Sequence, residues 1–127
     1  PNDTYILTAD SQIKLNQLDQ MFRTLRGTKA VDLLILSACR TATGNDRAVL
    51  GIAGTAVRAG ARSAIAGLWS LADEPSPTFT QTLYQNLGKP GITRAEALRK
   101  AQLALLNSQD YFHPRYWAPY VLVGSWL

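Results

Sequence analysis

Two nearly uninterrupted apolar runs, Val31 to Ser37 (VDLLILS) and Ser63 to Trp69 (SAIAGLW), constrain this chain most. A strand wetted on one face alternates apolar and polar residues. A continuous run marks a strand covered on both faces, as in a parallel sheet. Between the runs lie a polar loop, Arg40 to Asp46, and a helix-length segment, Arg47 to Ala59, that closes at Gly60. Strand, helix and strand in that order predict a right-handed βαβ unit. Leu50, Ala53 and Val57 are the expected buried stripe of its helix. Gly51 and Gly54 beside them are expected to let the helix approach the sheet closely.

The flanking segments fit the same class. Tyr5 to Thr8 reads as a short strand followed by the polar turn Ala9-Asp10-Ser11. Asn16 is the expected N-cap of a helix from Gln17 to Arg26. That helix carries Leu18, Phe22 and Leu25 on one face and stops at Gly27. Ser76-Pro77 supplies an N-cap and an N1 proline for a helix with Phe79, Leu83 and Leu87, ending at Gly88. Thr93 and Glu96 form a capping-box pair for a helix through Ser108, with Leu98, Ala101 and Leu105 as its core stripe. Tyr120 to Gly124 (YVLVG) is the last expected strand. Together these predict one α/β domain with a mainly parallel sheet between helices, and 127 residues suit one domain.

Composition excludes several classes. A hydrophobic fraction of 46% argues against disorder, and the charged fraction of 17% is low enough that part of the surface is expected to meet another domain. No apolar run approaches a membrane span, and no signal-peptide pattern opens the chain. The single cysteine rules out an internal disulfide and a multi-cysteine zinc site, and fits a reducing, cytoplasmic compartment. The net charge is +4. Residues 39–72 hold Arg40, Arg47, Arg58 and Arg62 against Asp46 alone, yet nothing forms a basic arm, so nucleic-acid binding is disfavoured. Gly51-Ile52-Ala53-Gly54 lacks the spacing of a dinucleotide loop, which disfavours a nucleotide-binding domain.

Cys39 is the candidate nucleophile. It follows the first buried strand, at the sheet edge where open α/β sheets place their sites, with Arg40 and Arg47 nearby to favour a thiolate. A buried structural cysteine is the competing reading. A thiolate mechanism needs a base, and the only histidine is His113. If the last strand is parallel to its neighbours, His113 lies at the wrong edge. If it is antiparallel, His113 is still about two strand spacings, ~10 Å, from Cys39. His113 is therefore read as structural. Trp69 and Trp117 are read as packing residues ahead of a substrate platform, because tryptophan buries so much area.

The ordered motifs point to a family. Ser37-Ala38-Cys39-Arg40-Thr41-Ala42-Thr43-Gly44 resembles the nucleophile motif of CHAT domains, caspase-like peptidases associated with tetratricopeptide repeats. Gly67-Leu68-Trp69-Ser70-Leu71-Ala72-Asp73 resembles the strand and loop after the nucleophile. Ala95 to Leu103 resembles the late helix, and His113 to Gly124 the closing motif. The resemblance implies a caspase-like three-layer sandwich and a cysteine endopeptidase of the caspase, separase and gingipain group. Cys39 aligns with the nucleophile and no cofactor or metal is needed. The family's catalytic histidine sits in a His-Gly pair upstream of the nucleophile, and the first 36 residues here contain no histidine.

The resemblance thus implies that residues 1–127 are the C-terminal part of a CHAT domain, lacking upstream strands and the histidine segment, and inactive or impaired alone. It also implies a protein or peptide substrate and a repeat domain in the same parent protein. By analogy with arginine- and lysine-directed relatives, Asp73 would bind a basic P1 side chain. Capping of the following helix is an equally weighted role for it. A non-catalytic interaction or scaffold domain is the alternative function. With upstream strands absent, the strand before Cys39 is expected to offer an unpaired edge, leading to self-association or to a partner segment that completes the sheet.

Overall fold

The computed structural model describes residues 5–7, 11–25, 31–36, 46–69 and 76–127. The order is β1 (Tyr5–Leu7), β2 (Gln12–Lys14), α1 (Leu15–Leu25), β3 (Leu33–Leu36), α2 (Asp46–Ala59), β4 (Ser63–Gly67), α3 (Ser76–Leu87), α4 (Arg94–Leu106), α5 (Pro114–Trp117) and β5 (Tyr120–Gly124). The class is α/β. The expected βαβ unit is present: β3 runs parallel to β4, with Leu33 beside Ser63 and Leu36 beside Ala66. β5 is antiparallel to β4, with Gly67 beside Tyr120. Among the described residues the main sheet is therefore mixed, in the order β3-β4-β5, where the sequence reading expects a mainly parallel one.

Period-two alternation sorts the sheet's side chains between two helical layers. Leu33, Ile35, Ile65 and Leu122 pack with α3 and α4, around Phe79, Leu83, Leu98, Ala101 and Leu105. On the opposite face Leu34 and Leu36 meet Leu18, Phe22, Ile52, Ala56 and Ala59 of α1 and α2. Ala64, Ala66 and Val123 meet Ala53 and Val57 of α2 there. All five residues of β4 are buried, whereas the four of β3 are only half-buried. Among the described residues β3 pairs with β4 alone.

Several details depart from the sequence reading. β2 is an additional strand, paired antiparallel with β1 (Ile6 beside Ile13). α1 starts earlier than expected, and Asn16 lies inside it. The Lys14 backbone N–H donates to Gln17 Oε1 at 2.8 Å, the glutamine half of a capping box closed around Lys14. In α2 the buried face is Ile52, Ala53, Thr55, Ala56 and Ala59, while Leu50 is 39% exposed. A β-carbon at Gly51 or Gly54 would meet nothing within 4 Å, so alanines, not these glycines, bring α2 onto the sheet. The side chain of Leu25, expected to end the stripe, Gly27, expected to stop α1, and the N-capping side chain of Ser76 lie outside the described residues.

Two terminators act as expected from their chemistry. Gly60, at φ +121°, ends α2 in a Schellman arrangement: Gly60 N–H donates to Val57 O and Ala61 N–H to Ala56 O. Thr93 caps α4, its hydroxyl accepting from Glu96 N–H at 3.1 Å. Glu96 does not complete the box; its carboxylate lies 3.3 Å from Arg99.

Leu83 is fully buried between α3, α4 and the sheet. Leu83→Ala is expected to cost about 3–5 kcal/mol in denaturant unfolding, through lost transfer energy plus an unfilled cavity. The exposed Leu50→Ala should change stability by less than about 1 kcal/mol. Equal losses at the two positions would refute this assignment of the core.

Candidate functional site

The sheet register defines one edge on which Leu36 of β3, Gly67 of β4 and Tyr120 of β5 end or begin. In a parallel β3–β4 pair both chains leave at this edge, which is where such folds collect loop residues. Cys39 follows β3 in sequence, and Asp73 follows β4. Both lie outside the described residues, together with Arg40. The Arg47 backbone belongs to α2, but its side chain is not among those described.

The described part of this edge is formed by the exit of β4 and the segment that leads into β5. β5 begins at this edge, so the antiparallel case holds and residues 113–119 approach the same side of the sheet as the end of β4. Leu68 N–H donates to Pro119 O at 2.8 Å, fastening the segment to the exit of β4. Trp69 Nε1 donates to Arg115 O at 3.4 Å. The ring of Trp69 is 39% exposed, so it is neither core nor free: its indole N–H is tied while part of the ring stays in solvent. Trp117 packs on the α3/α4 core and donates from Nε1 to Phe112 O at 3.0 Å.

His113 is the N-cap of α5. Its Nδ1 accepts from Arg115 N–H at 3.2 Å, a capping role that the reading of His113 as structural had left unspecified. The Arg115 guanidinium lies 5.1 Å from the Tyr116 ring centroid, and Tyr116 meets Tyr111 edge-to-face at 5.5 Å. Beneath this rim, Phe79 and Tyr120 stack with centroids 3.5 Å apart.

The residue that sequence reasoning missed is Gln102. From α4 its Nε2 donates to both Trp117 O and Tyr120 O, each at 3.0 Å, so one side-chain amide spends both protons on the junction of α5 and β5. The available signal was its place beside Ala101 and Leu105, one polar residue at the border of an apolar stripe. Among the described residues no group of three His, Cys, Asp or Glu side chains could hold a metal ion, and no described helix is long and apolar enough to cross a membrane.

Comparison with known proteins identifies the family of this α/β domain. The chain matches the CHAT domain family model over residues 1–125 and belongs to that family. It is 28% identical over 98 residues to tetratricopeptide repeat protein 28 of Mus musculus; the alignment covers 76% of this chain and 4% of that protein. The chain thus spans a small fraction of the length of that relative. No solved structure matches.

Gln102→Ala removes a donor from the Trp117 and Tyr120 carbonyls. The expected loss is about 1–3 kcal/mol of stability, with faster amide exchange in 117–121 than in α3. A variant as stable as the parent, with unchanged exchange, would show that the amide does not hold the rim.

Proposed function

We propose that this CHAT domain is the nucleophile-bearing part of a caspase-like cysteine endopeptidase. The supporting observation is the parallel β3–β4 pair, whose shared exit edge leads directly into the Cys39 segment on one strand and the Asp73 segment on the other. The Cys39 thiolate attacks the scissile carbonyl. A histidine outside these 127 residues protonates the leaving amine, because His113 is engaged as a helix cap. The Cys39 backbone N–H donates to the developing oxyanion, a contact typically worth about 3–4 kcal/mol. Asp73 pairs with a basic P1 side chain through a charge-assisted hydrogen bond.

The missing partner of β3 belongs to the same reading. A strand from outside the described chain pairs with the free edge of β3, completes a caspase-like sandwich and carries the histidine toward Cys39. A repeat domain in the parent protein receives the signal or partner. The mouse relative supports this, since it is a tetratricopeptide repeat protein. The setting is cytoplasmic, consistent with one cysteine and no disulfide.

A second reading has its own observation. The only histidine of the chain is occupied at the N-terminus of α5, which favours a non-catalytic interaction or scaffold domain if no other base is supplied.

A fluorogenic peptide panel varied at P1, assayed on the intact parent protein, decides between them. Cleavage after Arg or Lys is expected to vanish in Cys39→Ala and to persist in His113→Asn, which keeps a capping side chain. Asp73→Asn is expected to abolish turnover of basic-P1 peptides with little change in Tm. An unchanged P1 preference in Asp73→Asn would assign that residue to helix capping. Turnover that survives Cys39→Ala would overturn the nucleophile, and absence of turnover with and without protein partners would favour the scaffold.

A further inference from the structure

A cavity of about 600 Å³ lies between α1 and α2. Its lining comprises Lys14, Leu15, Asn16, Asp19 and Arg23 from the β2–α1 segment, with Thr55 and Arg58 from α2. Three cations and one carboxylate face the same space. Asp19 is committed to Arg23, with Oδ2 at 2.7 Å from Nε, and this contact raises the Arg23 pKa above its ordinary value. Among the described residues neither Lys14 nor Arg58 has a carboxylate within ion-pair distance.

The cavity has a polar floor that packing does not require. Thr55 is only 7% exposed on a helix face otherwise made of alanine and isoleucine. Its Oγ1 accepts from Arg58 Nη2 at 3.2 Å. That bond ties the Arg58 guanidinium to the buried Thr55. Leu15, half-buried at the same wall, adds an apolar surface suited to aliphatic side-chain stems.

We propose that this cleft binds an acidic protein segment, with carboxylates on Lys14 and Arg58 and an aliphatic stem against Leu15. The excess of two unpaired cations sets the charge of the partner, and the cleft exceeds what a single small anion would fill. Asp19 does not oppose this, because its charge is taken up by Arg23. The site is independent of peptidase activity and would serve to recruit a partner or substrate to the domain.

The test is fluorescence anisotropy of a labelled glutamate-rich octapeptide with the intact protein. Saturable binding is expected, weakening as salt is raised from about 50 to 300 mM, over which the screening length shortens to several ångströms. Lys14→Gln with Arg58→Gln should raise Kd at least about tenfold, and Thr55→Val about threefold. A charge-matched control, Arg99→Gln with Lys100→Gln on α4, should change it less than about twofold. Equal weakening in both double variants, with Tm preserved, would reduce the effect to overall charge and overturn the site. So would absence of saturable binding by the parent, or binding of inorganic phosphate at Lys14 and Arg58 without binding of the peptide.

Discussion

The close seating of α2 on β4 is the contact on which the other layers depend. Ala64 and Ala66 on one strand and Ala53 on the helix present little more than methyl groups, so the helix lies nearly against the sheet backbone. The burial is correspondingly complete, with no exposure at any of the three. Because β4 is central, its register fixes β3 on one side and β5 on the other. Its one large side chain, Ile65, points the opposite way and seeds the larger core under α3 and α4. A narrow layer on one face and a deep one on the other follow from a single five-residue strand, SAIAG.

Polar groups then fix what hydrophobic burial leaves loose. Ser63, fully buried, donates from Oγ to Asp32 O, so the start of β4 is tied to the chain entering β3. At the same end the Asp32 carboxylate lies 3.2 Å from Arg62, but both side chains are well exposed, and such a pair contributes at most about 1 kcal/mol. At the other end Gln102 and the Trp69 indole N–H hold the α5 segment against the strand exits, while His113 and the Trp117 indole N–H fasten it locally. The two ends of the sheet thus differ: one adds an exposed ion pair to the Ser63 hydrogen bond, the other uses a side-chain amide and an indole as donors to backbone carbonyls.

The sequence carried most of this architecture and lost particular pieces for physical reasons. The runs at 31–37 and 63–69 revealed β3 and β4 because burial on both faces leaves no polar position. The stripes Phe79–Leu83 and Leu98–Ala101–Leu105 revealed α3 and α4 because each faces a single core. α2 was misread because it serves two partners, α1 and the sheet, so its apolar positions do not form one stripe. β2 was missed because three residues, Gln12-Ile13-Lys14, hold too few positions to show alternation. α5 was missed because one helical turn has no period. The direction of β5 depends on its pairing with β4, which no local pattern encodes. Cys39 and Asp73 stood out from their position after apolar runs, whereas Gln102 acts on carbonyls that are distant in sequence and carry no side-chain signal.

The turn after β5 has a consequence for the order in which the domain can assemble. Gly124, at φ +98°, lies where a β-carbon would come within 2.5 Å of Arg62 O, and it redirects the chain across the sheet. Ser125 N–H then donates to Arg62 O, and Trp126 O accepts from Ala95 N–H in the first turn of α4, with Arg94 reaching Leu127 O. A donor that α4 cannot satisfy by itself is therefore met by residues synthesised after everything they hold. On a ribosome, α4 emerges with this turn open, and the α4–β5 half can lock only once residues 124–127 have cleared the exit tunnel. Closure of this clamp thus follows the synthesis of every element it joins.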